Sequence, residues 1–118
     1  MNKNKKISLN EGIVVIKSEL ITIPNKPGVY QMIGQNEEHL YIGKAKNLKN
    51  RVTFYTQPKR LNSRLTVMVS NTKRMEIIIT SSEMEALLLE SNLIKKFEPT
   101  FNILLKDDKS FSSILFSL

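Results

Sequence analysis

At 118 residues, 41% hydrophobic and 25% charged, the chain holds material for one folded core and too little for two ordinary domains. It contains no cysteine, which excludes disulfides and thiolate metal sites and fits a reducing, cytoplasmic setting. Its net charge of +7 points to an anionic partner, and no apolar run approaches the ~18 residues of a membrane span.

The elements follow in chain order. After a basic start, the run EGIVVIKSEL is broken by Glu11, Lys17 and Glu19, so it is no signal-peptide core. Ser8 and Glu11 form a capping box that predicts a helix from Ser8 to about Leu20, and residues 1–26 read as an N-terminal helical extension. Pro24 and Pro27 break the chain. Val29–Ile33 and Leu40–Ile42 are short, β-branched and aromatic, and the turn residues Gly34 to Glu38 between them predict a β-hairpin. Asn47 caps a helix carrying Leu48, Val52 and Tyr55 on one stripe, with Arg51 beside them. Leu61 to about Thr72 has helical spacing, and Met75–Thr80 reads as a strand. Ser82 and Glu85 make a second capping box, opening a helix to about Phe97 that Pro99 terminates. Phe101–Leu105 is expected to be a last strand. The fold class is therefore α+β, a small central mixed or antiparallel sheet flanked by helices.

Charge is unevenly spread. From Gly43 to Arg74 stand Lys44, Lys46, Lys49, Arg51, Lys59, Arg60, Arg64, Lys73 and Arg74, with no Asp or Glu among them. A merely solvated basic face accounts for the total and leaves this acid-free segment unexplained. A phosphate backbone as partner accounts for both.

Three kinds of residue could carry chemistry. Glu90 has Ala86, Leu87, Leu93 and Ile94 as its helical neighbours, which plants a carboxylate on a packing face. An unpartnered buried carboxylate costs several kcal/mol, so Glu90 is either a rim residue paired with a cation or a functional group. Beside a basic cleft it suits Mg²⁺, which takes oxygen ligands and keeps most of its waters. Tyr30, Tyr41 and Tyr55, all the tyrosines present, share a window with Lys44 and Arg51. A phenol works as a base only where cations stabilise the phenolate; Lys44 and Arg51 could do that, or could hold a phosphate. His39, the single histidine, reads as a surface residue, and Asp107-Asp108 as a solvated pair near the chain end. Taken alone, these features describe a phosphate-binding domain, with a metal-dependent phosphodiesterase as the sharper form.

Gly28-Val29-Tyr30 followed by Tyr41-Ile42-Gly43 resembles the paired motif of the GIY-YIG nucleases. The match continues through Lys44-Ala45-Lys46-Asn47-Leu48-Lys49-Asn50-Arg51, through Glu85 to Lys95, and through Phe101 to Ser110. In that order the series is similar to the N-terminal nuclease domain of the UvrC branch, the incising component of the bacterial excinuclease. The resemblance spans Pro27 to Phe111, so residues 27–111 are the expected nuclease domain. It implies one divalent cation, Mg²⁺ or Mn²⁺, on Glu90, with Tyr30, Tyr41, Lys44, Arg51, Tyr55 and Asn102 as further site residues. Tyr41 or Tyr30 would be the base, with Lys44 lowering its pKa, and Arg51 would meet charge growing on the phosphoryl oxygens. Lys44, Lys46, Lys49, Arg51, Lys59, Arg60 and Arg64 would contact double-stranded DNA. The implied activity is incision 3′ to a lesion in nucleotide excision repair; in full-length family members the DNA is held in a complex with UvrB, and the segment that binds UvrB is absent from the residues here. A standalone structure-specific GIY-YIG nuclease and an inactive DNA-binding remnant are the alternatives. Residues 112–118 depart from the family pattern, which points to a truncated product or an excised domain.

Overall fold

The computed structural model describes residues 2–106. In chain order its elements are α1 (Asn2–Leu20), β1 (Gly28–Ile33), β2 (His39–Ala45), α2 (Leu48–Phe54), α3 (Ser63–Ser70), β3 (Arg74–Ile79), α4 (Glu83–Phe97) and α5 (Thr100–Lys106). Short 3-10 turns lie at Gln35–Glu37 and Pro58–Arg60. The strands form one sheet in the order β2-β1-β3, and both pairings are antiparallel. Of the mixed and antiparallel forms expected, the described residues adopt the antiparallel one.

β1 is central, and all six of its residues are buried. Its pleat divides the interior into two halves. Tyr30 and Met32 join a core built with Ile13 and Ile16 of α1, Leu48 and Val52 of α2, and Met68 and Val69 of α3. Val29 faces the other way and packs with Ile42 and Ala86 beneath α4.

α1 begins at Asn2 rather than at Ser8, so the helix extends ahead of the capping box. Leu9, Ile13, Ile16 and Leu20 recur at helical spacing and turn toward the core. Gly12 lets α1 and α3 touch: a Cβ there would lie 1.9 Å from the Val69 carbonyl oxygen. Leu9, Ile13, Ile16, Leu20 and Ile23 thus contribute to the core that holds Tyr30.

The caps behave as their residue types require. Asn47 and Ser82 accept from the amides of Asn50 and Glu85, at 3.1 and 3.1 Å. Asn62 accepts from Leu65 at 2.8 Å and starts α3 at Ser63, later than its apolar spacing predicts. His39 is half-buried, not a surface residue; its ring stacks on Phe97 at 3.9 Å between centroids.

The segment expected as a last strand is helix α5. Five apolar-rich residues fit either period, and the surroundings decide between them. Phe101 and Leu105, four apart, turn toward the protein, while Ile103 stays 46% exposed. The open edge of β2, where a further strand would pair, is already bonded by side chains. Asp107, Asp108 and the tail 112–118 lie outside the described residues.

Candidate active site

Among the described residues β2 pairs with β1 along one side only, so the amides on its other side need partners. Asn102 of α5 supplies two bonds: its Oδ1 accepts from the Ile42 amide at 2.8 Å, and its Nδ2 donates to the Ile42 carbonyl at 2.9 Å. Two residues along, the Lys44 amide donates to Glu90 Oε2 at 2.9 Å. One sheet edge thereby positions both the carboxylate of α4 and the amide of α5. Asn102→Ala leaves a donor and an acceptor of the edge without protein partners. It is expected to cost about 1–3 kcal/mol, read as a lower denaturant midpoint at unchanged slope.

Glu90 sits on the border of the packing face. Ala86 is buried and Leu93 and Ile94 pack inward, but Leu87, expected on the same face, is 43% exposed. The carboxylate is therefore half-buried and reachable from solvent. Burial holds its pKa above the ordinary value, while the Lys44 amide and ammonium pull it back down.

The three phenols converge. Tyr30 and Tyr55 are 1% exposed each, and their hydroxyls share a hydrogen bond of 2.8 Å. The Tyr41 ring lies 6.1 Å from that of Tyr30 and is only half-buried. Burial drives all three pKa values up. Tyr55 adds to the rise at Tyr30, Tyr30 and Glu90 add to it at Tyr41, and Tyr41 adds to it at Tyr55. The cation acting against burial at each phenol is Arg51. Lys44, expected to lower a phenol's pKa, instead places its ammonium 3.2 Å from Glu83 Oε2. The phenols of this arrangement are proton holders at neutral pH.

Gly43 makes the convergence possible. It pairs with Tyr30 across the β1–β2 ladder, and a Cβ at that position would lie 2.5 Å from both Cζ and the hydroxyl of Tyr30. The second motif's glycine is the space the first motif's ring occupies.

The cations divide into groups. Lys44, Lys46, Arg51 and Arg60 line a cleft of about 430 Å³, together with Phe54 and Glu83. Lys49 and Lys59 are exposed outside it. Arg64 is turned elsewhere, donating to the Leu104 carbonyl of α5 at 2.7 Å. Sequence reasoning passed over Phe54 and Glu83. Nothing in the sequence separates Phe54 from a core aromatic, whereas Glu83, seven residues before Glu90, carries a helical-face signal that was available.

Among the described residues no group of three His, Cys, Asp or Glu side chains gathers to hold a metal. A single carboxylate aligned by a backbone amide is nevertheless a fit for Mg²⁺, which binds through one or two carboxylates and retains water elsewhere.

An antiparallel three-stranded sheet with helices on both faces and a tyrosine cluster against one edge defines the GIY-YIG endonuclease fold. The chain superimposes on the crystal structure of the GIY-YIG N-terminal endonuclease domain of UvrC from Thermotoga maritima, bound to its catalytic divalent cation, magnesium. The TM-score is 0.66 at 35% identity, over 73% of this chain and 93% of that one. Structures of the same domain with three different tyrosines changed singly to phenylalanine, or an asparagine to alanine, also contain the catalytic divalent cation.

Residues 26–103 match the model of the UvrC-like GIY-YIG domain, and the chain belongs to that family. UvrABC system protein C of Sphingopyxis alaskensis is 53% identical over 110 residues, and that of Rhodospirillum rubrum 55% over 103. These alignments take in 93% and 87% of this chain but only 17% and 16% of those proteins, so it spans about a sixth of the length of the curated relatives.

Proposed function

We propose that this chain is a divalent-cation-dependent endodeoxyribonuclease domain that nicks one strand of double-stranded DNA, with Glu90 as cation ligand. In nucleotide excision repair the incision lies 3′ to the lesion, on DNA presented by UvrB. The observation that carries this reading is the juxtaposition on one sheet edge of the Glu90 carboxylate, the Tyr41 phenol and the Lys44–Arg51 cations. The magnesium seen in the Thermotoga domain supports it, as does the cation's presence there in variants lacking a tyrosine hydroxyl or an asparagine amide. Carried to Tyr30, Tyr41, Tyr55 and Asn102, that pattern leaves the carboxylate as the holder of the ion.

Glu90 would hold the cation, which would supply Lewis acidity toward the scissile phosphate and its leaving 3′-oxygen. The chain's own residues supply the rest. Tyr41, the half-buried phenol, would face the attacking water and take its proton once the positive charge of Arg51 and of a cation at Glu90 offsets the burial that otherwise keeps its own proton on. Tyr30 and Tyr55, joined through their hydroxyls behind it, fix its orientation, and Arg51 stabilises charge on the phosphoryl oxygens. Asn102 is a positioning residue, holding straight the edge from which Tyr41 and Lys44 project.

The decisive assay is Mg²⁺-dependent nicking of damaged duplex, with and without UvrB, beside flap and junction substrates. Nicking of the UvrB-bound duplex is the expected result; preference for a flap or junction would assign the chain to another nuclease class. Duplex binding should also weaken steeply with salt. Removing one phosphate-contacting lysine, as in Lys46→Ala, is expected to shallow the log–log slope by about one. A flat salt response would contradict phosphate contacts.

A further inference from the structure

The cleft beside the proposed cation site contains more than the nicking reaction uses. Glu90 is not among its lining residues, yet Lys44 and Arg51 line it and also border the catalytic cluster. A strand crossing the site therefore continues into this cleft. In it, the Arg51 and Arg60 guanidinium carbons lie 5.6 and 5.2 Å from the centroid of the same Phe54 ring. Two like charges drawn to one ring repel each other, and the ring's attraction for each is modest. An anion between them removes the repulsion. Arg60 is also pre-set, its Nη1 donating to Gln57 Oε1 at 3.0 Å, which leaves its other donors for a phosphate. The carboxylate in the cleft, Glu83, is already paired with Lys44.

We propose that this cleft is a second phosphate subsite, which holds the DNA phosphate next to the scissile one, and that Arg60, seated on Phe54, is the residue that builds it. The proposal rests on the nuclease reading and deepens it. Arg60 binds the phosphate as a fork, and Phe54 is a positioning residue that keeps Arg60 and Arg51 at the spacing the strand requires.

The test pairs protein variants with duplexes carrying one charge-neutral methylphosphonate at successive positions around the nick. With the unmodified chain, one position next to the nick should lower nicking kcat/KM about tenfold. Arg60→Ala should show a similar loss on plain DNA and no further loss from that same methylphosphonate, since both changes remove one interaction. Arg60→Lys should fall between, keeping the charge without the fork, and Phe54→Leu should lose part of the same coupling. Losses that simply multiply at every position, or an Arg60→Ala chain that nicks as well as the parent, would overturn the subsite. The same cycle read as duplex affinity without cation separates the two readings. A chain that shows the Arg60–phosphate coupling in binding but never nicks would sink the nuclease reading and leave the subsite standing.

Discussion

Glu90→Gln is expected to abolish cation-dependent nicking, by roughly a thousandfold if the Lewis acid supplies several kcal/mol to the transition state. The fold should remain intact, because the glutamine carbonyl can still accept from the Lys44 amide that now bonds Oε2 at 2.9 Å. Without cation the variant should melt no lower than the parent, since it loses a carboxylate whose ionised form burial disfavours. With Mg²⁺ at a hundred times its dissociation constant the parent should gain about 2.7 kcal/mol, seen as a rise in Tm, and the variant nothing.

pH adds a second readout with a definite sign. Glu90 holds its proton more tightly folded than unfolded, so its unfavourable contribution is full above the raised pKa and is relieved as pH falls through it. The same proton competes with the cation, so the Mg²⁺-induced rise in Tm should shrink over that fall. A Glu90→Gln chain that still gains stability from Mg²⁺ and still nicks would remove Glu90 from the site.

The residues differ in how far their roles could be read from sequence, and the reason is physical. The hairpin, the Asn47 and Ser82 caps and the placement of Glu90 on α4 rest on periodicity and local hydrogen bonding, which adjacent residues determine. The conformation of Phe101–Leu105 rests on whether the β2 edge is open or bonded, and that depends on Asn102 and Glu90 meeting β2 from afar. The pairing of Lys44 with Glu83 across 39 residues is of the same kind, and it moves the role of pKa modulator to Arg51. The direction of the phenol shifts was also beyond sequence. Cations nearby in the chain suggest a lowered pKa, but burial, which depends on three helices closing over Tyr30 and Tyr55, outweighs them. The family resemblance grouped Tyr30, Tyr55, Glu90 and Asn102 with Tyr41, Lys44 and Arg51 because family patterns record such distant contacts.

Gly43→Ala should disable the site by a route that replaces no ionisable group. The added methyl would stand 2.5 Å from the Tyr30 ring carbon and hydroxyl, and 2.9 Å from Cε1. Tyr30 is 1% exposed and packed within the main core, so it cannot swing away without displacing neighbours. Overpacking of this kind costs about 1–3 kcal/mol, and the displaced ring breaks its 2.8 Å bond to Tyr55. Because a shift near 1 Å in a positioning group can cost about a hundredfold in rate, nicking should fall by at least that much. A second substitution separates packing from chemistry. Tyr30→Leu in the Gly43→Ala background vacates the space the methyl needs, so the pair should be more stable than the sum of the single changes predicts, by at least ~0.5 kcal/mol. Nicking should not return, because the Tyr30 hydroxyl that steadies the phenol cluster is gone. Strictly additive losses in stability would mean that the ring does not lie over Gly43. Recovery of nicking in the double variant would mean that Tyr30 is there only to fill space, and that Tyr41 and Arg51 are held by other contacts.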